Sequence, residues 1–414
     1  MHRRDFLARS AAAATTAALL AADRTAPNDR LRAGFIGVGG RARAIIFDEW
    51  VPGADIVAVA DCFLPRCEAM ADKHPAGRRW AKYQDYRRML EKEKLDIVFV
   101  ETTTHARVLA CIHALQAGCD VYGEKPLTLT VAEGRPLVNW VRKTNRIFQT
   151  GTQQRSMPIN IHASRLVRDG AIGKVHTVLA CNFLAPEVWA ARPAQPVPKD
   201  LDWNAWCNQT PLRPYHAELQ YGWSKYTDYD GGGQSWGVTG WGTHALDQVQ
   251  CALGTDDTGP VEVWPEVSGP TAPVMLRYAS GVLLKVASKP RKYEDLGAIF
   301  VGDRGRIEIM RGSYLSDRPE LMKDAPPTIA AARAGETRPH LTNFFECVRS
   351  RKQPTANVET GHRATTVCHL INICRQLGRK LKCDPVAEKF AGDEQANALL
   401  TRPRRKGYEL PPVG

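Results

Sequence analysis

One spacing in the chain could bind a phosphorylated cofactor. An apolar run from Leu31 ends in Gly37-Val38-Gly39, and Gly40, Arg41 and Ala42 complete a G-x-G-x-x-A turn. In such a turn the first glycine permits the tight bend and the second lets backbone approach a pyrophosphate. A small third residue lets the following helix pack on its strand. A second apolar run, Ile56 to Ala60, ends at Asp61, at the interval of about 20 residues where a carboxylate accepts hydrogen bonds from ribose hydroxyls. That carboxylate would repel a 2′-phosphate, so NAD is expected over NADP, although Arg66 lies near enough in sequence to reach such a phosphate. The ordinary alternative is a plain βα turn, and the interval to Asp61 argues against it.

These residues need a parallel sheet to hold them. Leu95 to Val100 reads as a buried parallel strand, with Thr102, Thr103 and His105 at its carboxyl end, where open parallel sheets bind ligands. Helical patterns over Ala106 to Ala117 and Val131 to Lys143 alternate with short strands over Asp120 to Tyr122 and Ile147 to Thr150. Glu124-Lys125-Pro126 then stands at another strand end, which adds Glu124 and Lys125 to the expected cofactor contacts. This reading gives a doubly wound Rossmann domain over residues 29–155.

From Thr177 the pattern changes to strands, with hairpins turning at Ser280-Gly281 and at Asp303-Arg304-Gly305. Residues 156–414 are therefore expected to form a second α/β domain on an antiparallel sheet, closed by helices over Leu341 to Ser350 and Gly361 to Leu377. Between the two cores, Leu184 to Gln234 is too long for a plain connection and reads as walls and lid of a pocket. Six of the ten tryptophans fall between Trp189 and Trp241. Such rings suit stacking on sugars as well as packing.

Composition narrows the class. A chain of 414 residues with 43% hydrophobic content can bury two or three cores. Eleven cysteines without a repeated C-x-x-C indicate neither a disulfide framework nor a zinc ribbon, so buried free thiols and no metal set are expected. The formal charge of +12 is spread along the chain, with one cluster at Arg402 to Lys406, and no basic stripe interleaves with aromatics. A nucleic-acid partner is not expected. The opening His2-Arg3-Arg4-Asp5-Phe6-Leu7, followed by a mild Ala, Thr and Leu stretch to Ala22, resembles a twin-arginine export signal. Residues 1–28 are expected to be signal and linker, and the protein periplasmic. The stretch is too weakly apolar to span a bilayer. Resemblance to that signal class implies export of an already folded protein, cofactor included, which fits unpaired cysteines.

The glycine-rich turn, Glu124-Lys125-Pro126, and Gly231-Gly232-Gly233 followed by His244 resemble the glucose-fructose oxidoreductase, inositol dehydrogenase and rhizopine-catabolism (Gfo/Idh/MocA) superfamily. The resemblance extends to Gly151-Thr152-Gln153-Gln154-Arg155, Leu201-Asp202-Trp203 and the His340 to Arg349 helix, features similar to the superfamily's exported branch. It implies a large open antiparallel sheet in the second domain, whose outer face makes a homo-oligomer, and a small-molecule carbohydrate substrate. It also implies Lys125 and His244 as the catalytic residues flanking nicotinamide and substrate. A neutral imidazole suits proton removal from an alcohol, and an ammonium suits a developing alkoxide. Several departures stand out, the first being Ala42 in place of the third fingerprint glycine. Thr102-Thr103 replaces Thr-Pro, Arg107 replaces a second histidine, and Gly240 stands where many members carry an aspartate four residues before the histidine. Asp247, one helical turn beyond His244, is a candidate substitute.

Two enzymatic functions compete. One is an NAD-dependent oxidoreductase acting on a carbohydrate or cyclitol hydroxyl. The other is a redox-neutral glycosidase of the same superfamily, in which tightly bound NAD oxidises a ring hydroxyl, elimination and hydration follow, and hydride returns. Export favours the second, since no cytoplasmic NADH pool is at hand. No motif fixes its elimination base, for which Tyr221, Tyr226 and Tyr229 are candidates. A third function is noncatalytic sugar binding, and retention of both Lys125 and His244 argues against it.

Overall fold

The structure, a computed structural model, describes residues 30–288, 296–329 and 337–413. The export segment expected at residues 1–28 lies outside them.

Continuous apolar runs form the first sheet because both of its faces are covered. Its strands are β1 (Leu31–Ile36), β2 (Ala54–Ala60), β3 (Ala81–Tyr83), β4 (Ile97–Val100), β5 (Asp120–Gly123) and β6 (Phe148–Thr150). All pair in parallel, in the order β3-β2-β1-β4-β5-β6. The connecting helices are α1 (Gly40–Ala44, continued by a π turn over Ile45–Glu49), α2 (Leu64–Lys73), α3 (Tyr86–Lys92), α4 (Thr104–Gln116) and α5 (Gly134–Thr144). This is the doubly wound order whose switch point, between β1 and β4, opens a crevice at the strands' carboxyl ends.

A second layer begins with α6 (Pro158–Arg168) and β7 (Val175–Cys181), and continues after the long lid with α9 (Trp241–Leu253). Within the lid lie α7 (Trp203–Cys207) and α8 (Ala217–Gly222). Strands β8 (Glu262–Pro265), β9 (Val274–Arg277), β10 (Leu283–Ser288), β11 (Ala298–Gly302), β12 (Gly305–Met310) and β13 (Ser313–Ser316) follow. After helices α10 (Arg338–Ser350) and α11 (Val358–Leu377), β14 (Leu381–Asp384) and β15 (Lys389–Phe390) complete a nine-stranded sheet. Both expected hairpins form, and Gly281 takes the left-handed φ of 89° that its turn requires. The sheet corrects the antiparallel expectation in one respect, because β7 and β10 pair in parallel. More than a hundred residues and helix α9 separate these strands, and such a crossover permits parallel pairing where a tight turn cannot.

Aromatic packing joins the domains. Phe99 of β4 stacks on Phe35 at 4.6 Å and meets Phe344 and Phe345 of α10 edge-on. Helix α10, late in sequence, thus completes the core of the first sheet, where each buried Phe contributes about 1.5–3 kcal/mol. Arg351, just past its end, pairs with Asp120 at the start of β5 at 2.6 Å. All eleven cysteines are free, as expected, and eight of them are buried.

The lid has a small core of its own, in which Trp203 and Trp206 stack at 4.4 Å among Leu201, Tyr215, Leu219, Tyr226 and Tyr229. Cys62 and Phe63 of the first domain pack against it. Most of the clustered tryptophans therefore serve packing, and only Trp206 and Trp223 reach the crevice wall.

Candidate active site

A crevice of about 720 Å³ opens at the switch point and runs toward the lid. Gly37 turns its floor with φ of 84°, and a Cβ there would stand 2.9 Å from the Glu101 carbonyl. Both the conformation and the contact exclude any other residue. At Gly39 and Gly40 a Cβ would meet nothing within 4 Å, so their backbone faces open space at the start of α1. That helix start has no side-chain cap, which leaves its N–H groups free for an anion. Ala42 is fully buried, as close helix-to-strand packing requires.

Asp61 is fixed by two backbone donors. The Val38 N–H reaches Oδ2 at 3.0 Å and the Phe63 N–H reaches Oδ1 at 2.9 Å. The guanidinium of Arg66 lies 3.9 Å from the same carboxylate and over the rings of Phe63 and Tyr221. Thr102 and Thr103 line the crevice, and the Thr102 hydroxyl is buried without a partner. The open glycine cradle, the held carboxylate and this orphaned hydroxyl together fit a dinucleotide.

One expected cofactor contact, His105, sits otherwise, and the side chain of another, Arg41, is tied up in ion pairs although the residue lines the crevice. His105 is turned into the lid core, with Nε2 2.8 Å from the Trp206 carbonyl and its ring against Tyr229. Burial pushes its imidazole down to about 4, so it is a neutral packing residue. The Arg41 guanidinium is consumed by ion pairs, with both terminal nitrogens on Glu49 at 2.6 and 2.7 Å and Nε on Glu124 at 2.7 Å. Its side chain is a strut between α1 and the strand end that carries Lys125.

Glu124 also accepts from Gln153 at 3.1 Å and from the Lys125 backbone N–H at 2.7 Å. A Cβ at Gly151 would stand 2.6 Å from its carboxylate, which explains why the Gly-Thr-Gln-Gln-Arg motif starts with glycine. Lys125 lines the crevice, precedes a cis Pro126, and donates from Nζ to the Gly240 carbonyl at 2.8 Å. Gly240 caps α9, and His244 lies in that helix's first turn. His244 is buried and its Nδ1 has no partner, but unlike Lys125 it does not line the crevice. Burial, then the Lys125 charge, pushes its imidazole well below the usual range, so it is neutral.

Asp247 does not replace the missing acid. Both its oxygens accept from Arg155 Nε, at 2.9 and 2.8 Å, and Arg155 also holds Asp256. Nor could an acid occupy position 240, where a Cβ would fall 2.2 Å from the Gln234 carbonyl and 2.9 Å from that of Gly233. Two of the three candidate tyrosines are displaced as well. Tyr221 does line the crevice, at its exposed rim beside Arg66, whereas the Tyr226 hydroxyl donates to Glu218 and Tyr229 is buried in the lid core. The crevice does contain an acid that the motifs leave out, Asp230. Directly before three glycines it reads as a turn former.

Residues 31–152 match the oxidoreductase family, NAD-binding Rossmann fold, and residues 168–410 match the oxidoreductase family, C-terminal alpha/beta domain. The chain belongs to the Gfo/Idh/MocA oxidoreductase family. It is 33% identical to scyllo-inositol 2-dehydrogenase (NAD(+)) of Bacillus subtilis over 124 residues, which are 30% of this chain and 35% of that one. It is 30% identical to an uncharacterized oxidoreductase of Rhizobium meliloti over 156 residues, 36% of this chain and 45% of the other. The matched stretch is thus less than half the length of either relative. The aldose-aldose oxidoreductase of Caulobacter crescentus, solved with glycerol, shares the Gfo/Idh/MocA fold with a TM-score of 0.57. That likeness has 19% identity and covers 85% of this chain and 99% of that one.

Proposed function

We propose that this chain is an NAD-dependent oxidoreductase acting on a carbohydrate or cyclitol hydroxyl. The observation that carries the reading is the junction of Lys125 with Gly240, at the head of the helix that bears His244 and on the wall of a dinucleotide crevice. A bound nicotinamide supplies the two-electron acceptor for the hydride of the carbinol carbon. His244 takes the hydroxyl proton, and the Lys125 ammonium faces the oxygen as negative charge develops on it. The alcohol becomes a ketone, with one proton left on the base. Asp61 supports NAD over NADP, since a 2′-phosphate would meet a carboxylate already held by two backbone donors.

A specific feature favours the redox-neutral glycosidase as second reading. Asp200 to Asp202 form a strap across the first domain's Cys62 to Leu64 loop, beside Asp61. Phe63 and Leu201 make an antiparallel bridge, Leu64 N–H donates to Asp200 O at 3.2 Å, and Asp202 N–H donates to Cys62 O at 2.8 Å. Gln84 adds a bond to Asp200 O at 2.9 Å. A clasp of this kind supports a cofactor that stays bound between turnovers. The same proposal includes export to the periplasm and self-association through the open face of the second sheet.

The test follows where the hydride ends. Free sugars and cyclitols with added NAD are expected to give stoichiometric NADH. Release of aglycone from aryl glycosides without added nucleotide, with solvent deuterium entering the carbon next to the transient ketone, would overturn the dehydrogenase in favour of the glycosidase.

A further inference from the structure

Two of the chain's departures from its family meet at one carboxylate. Asp230 is buried in the wall of the crevice that Lys125 also lines, 1% exposed, and its partner Thr239 directly precedes Gly240, whose carbonyl accepts from Lys125 Nζ. Its Oδ2 accepts from the Thr104 hydroxyl at 2.5 Å and its Oδ1 accepts from the Thr239 hydroxyl. Arg107, which stands where the family has a second histidine, bears on the direction of the first bond. Its guanidinium has only donors, and it gives one to Thr104 Oγ1 at 3.2 Å. With one Thr104 lone pair so engaged, its proton is free to point to Asp230. Accepting at both oxygens is the hydrogen-bonding state of an ionised carboxylate. Arg107 also binds the carbonyls of Thr102, at 2.6 Å, and of Pro126, so the same guanidinium holds the strand ends that flank Lys125.

The triple glycine makes room for this arrangement. A Cβ at Gly233 would stand 2.7 Å from the Asp230 carboxylate, and one at Gly231 would stand 2.6 Å from the Thr239 methyl. The chain here folds back so tightly that Gly240 can carry no side chain, as shown above.

We propose that Asp230 takes over the duty of the acid missing at Gly240, acting as a positioning residue that keeps the Lys125 ammonium charged and aimed at the substrate oxygen. The inference deepens the proposed function and rests on Lys125 as its charge-bearing group. Lys125 is faced by Glu124 from its own strand end, Asp230 from the lid's end, Arg107 from α4, Arg41 from α1, His244 from α9 and the Cys368 thiol from α11. Burial lowers the ammonium's pKa, Glu124 and Asp230 raise it, and Arg107 and Arg41 lower it. Glu124 is already committed to Arg41 and Gln153. Asp230 is committed only to neutral hydroxyls.

The test needs no substrate. The rate of trace acetylation of Lys125 Nζ is followed by mass spectrometry across pH in wild-type, Asp230→Asn and Asp230→Glu proteins. With Asp230→Asn the midpoint is expected to fall, giving about tenfold faster labelling of Lys125 at a given pH below it, while the other lysines keep their profiles. Asp230→Glu should restore most of the wild-type midpoint. In turnover, where Lys125 acts as the ammonium, the alkaline limb should move to lower pH in the Asn variant. If Asp230→Asn does not fold, Thr104→Val carries the same measurement, with a smaller shift in the same direction. An unchanged Lys125 midpoint in a folded variant, or an equal change at every lysine, would overturn the proposal. A wrong assignment of the reaction would leave the labelling result untouched.

Discussion

Lys125→Met is expected to lower kcat/KM by about 10²- to 10³-fold, the usual consequence of removing one preorganised donor from the site of developing charge. The loss should fall mainly on kcat, because the ammonium's advantage is greatest when the substrate oxygen becomes an alkoxide. The fold should survive, since Nζ makes a single bond, to the Gly240 carbonyl, and methionine can follow the path of the lysine stem. Steady-state kinetics alongside a thermal melt and a nucleotide assay separate these effects. A variant that keeps its melting temperature and its NAD and still turns over at wild-type rate would remove Lys125 from the chemistry.

Arg155→Met is expected to cost about 3–5 kcal/mol of stability. The Arg155 side chain is 3% exposed and Asp247 is 1% exposed, so the substitution leaves a carboxylate in the interior with no cation beside it. In a chain of this size the melting temperature should fall by on the order of 10 °C. Asp247→Asn should also destabilise, without moving the pH dependence of turnover. A pH profile displaced by Asp247→Asn in a protein of unchanged stability would return that residue to the site.

The sequence discloses best what is local. The turn from Gly37 to Ala42 and the carboxylate at Asp61 form one βαβ unit, and each residue's duty follows from its spacing to the next. The parallel strands were equally readable, because burial on both faces demands an unbroken apolar run. Strand β3 was not, since Ala81-Lys82-Tyr83 has no pattern to recognise. The misread residues share a different property, distant partners. Asp247 belongs to Arg155 and His105 to Trp206, each far away in sequence. Gly240 read as a lost acid because its neighbour in space, the Gln234 carbonyl, is hidden by the fold-back of the chain. Arg107 read as a substitution for histidine, and only its bonds to Thr104, Thr102 and Pro126 reveal a tie between strand ends.

The central claim is that the crevice between Gly37, Asp61 and Lys125 binds NAD, held well enough by the strap at Asp200 to Asp202 to survive purification and yet able to exchange with added NAD. It is tested most directly by purifying the protein without added nucleotide, denaturing it after gel filtration, and identifying what is released by mass spectrometry. The account predicts NAD or NADH in near-stoichiometric amount, and its redox state should change after incubation with a true substrate of the oxidoreductase. Release of NADP instead, or a nucleotide-free protein that does not bind added NAD, would contradict it.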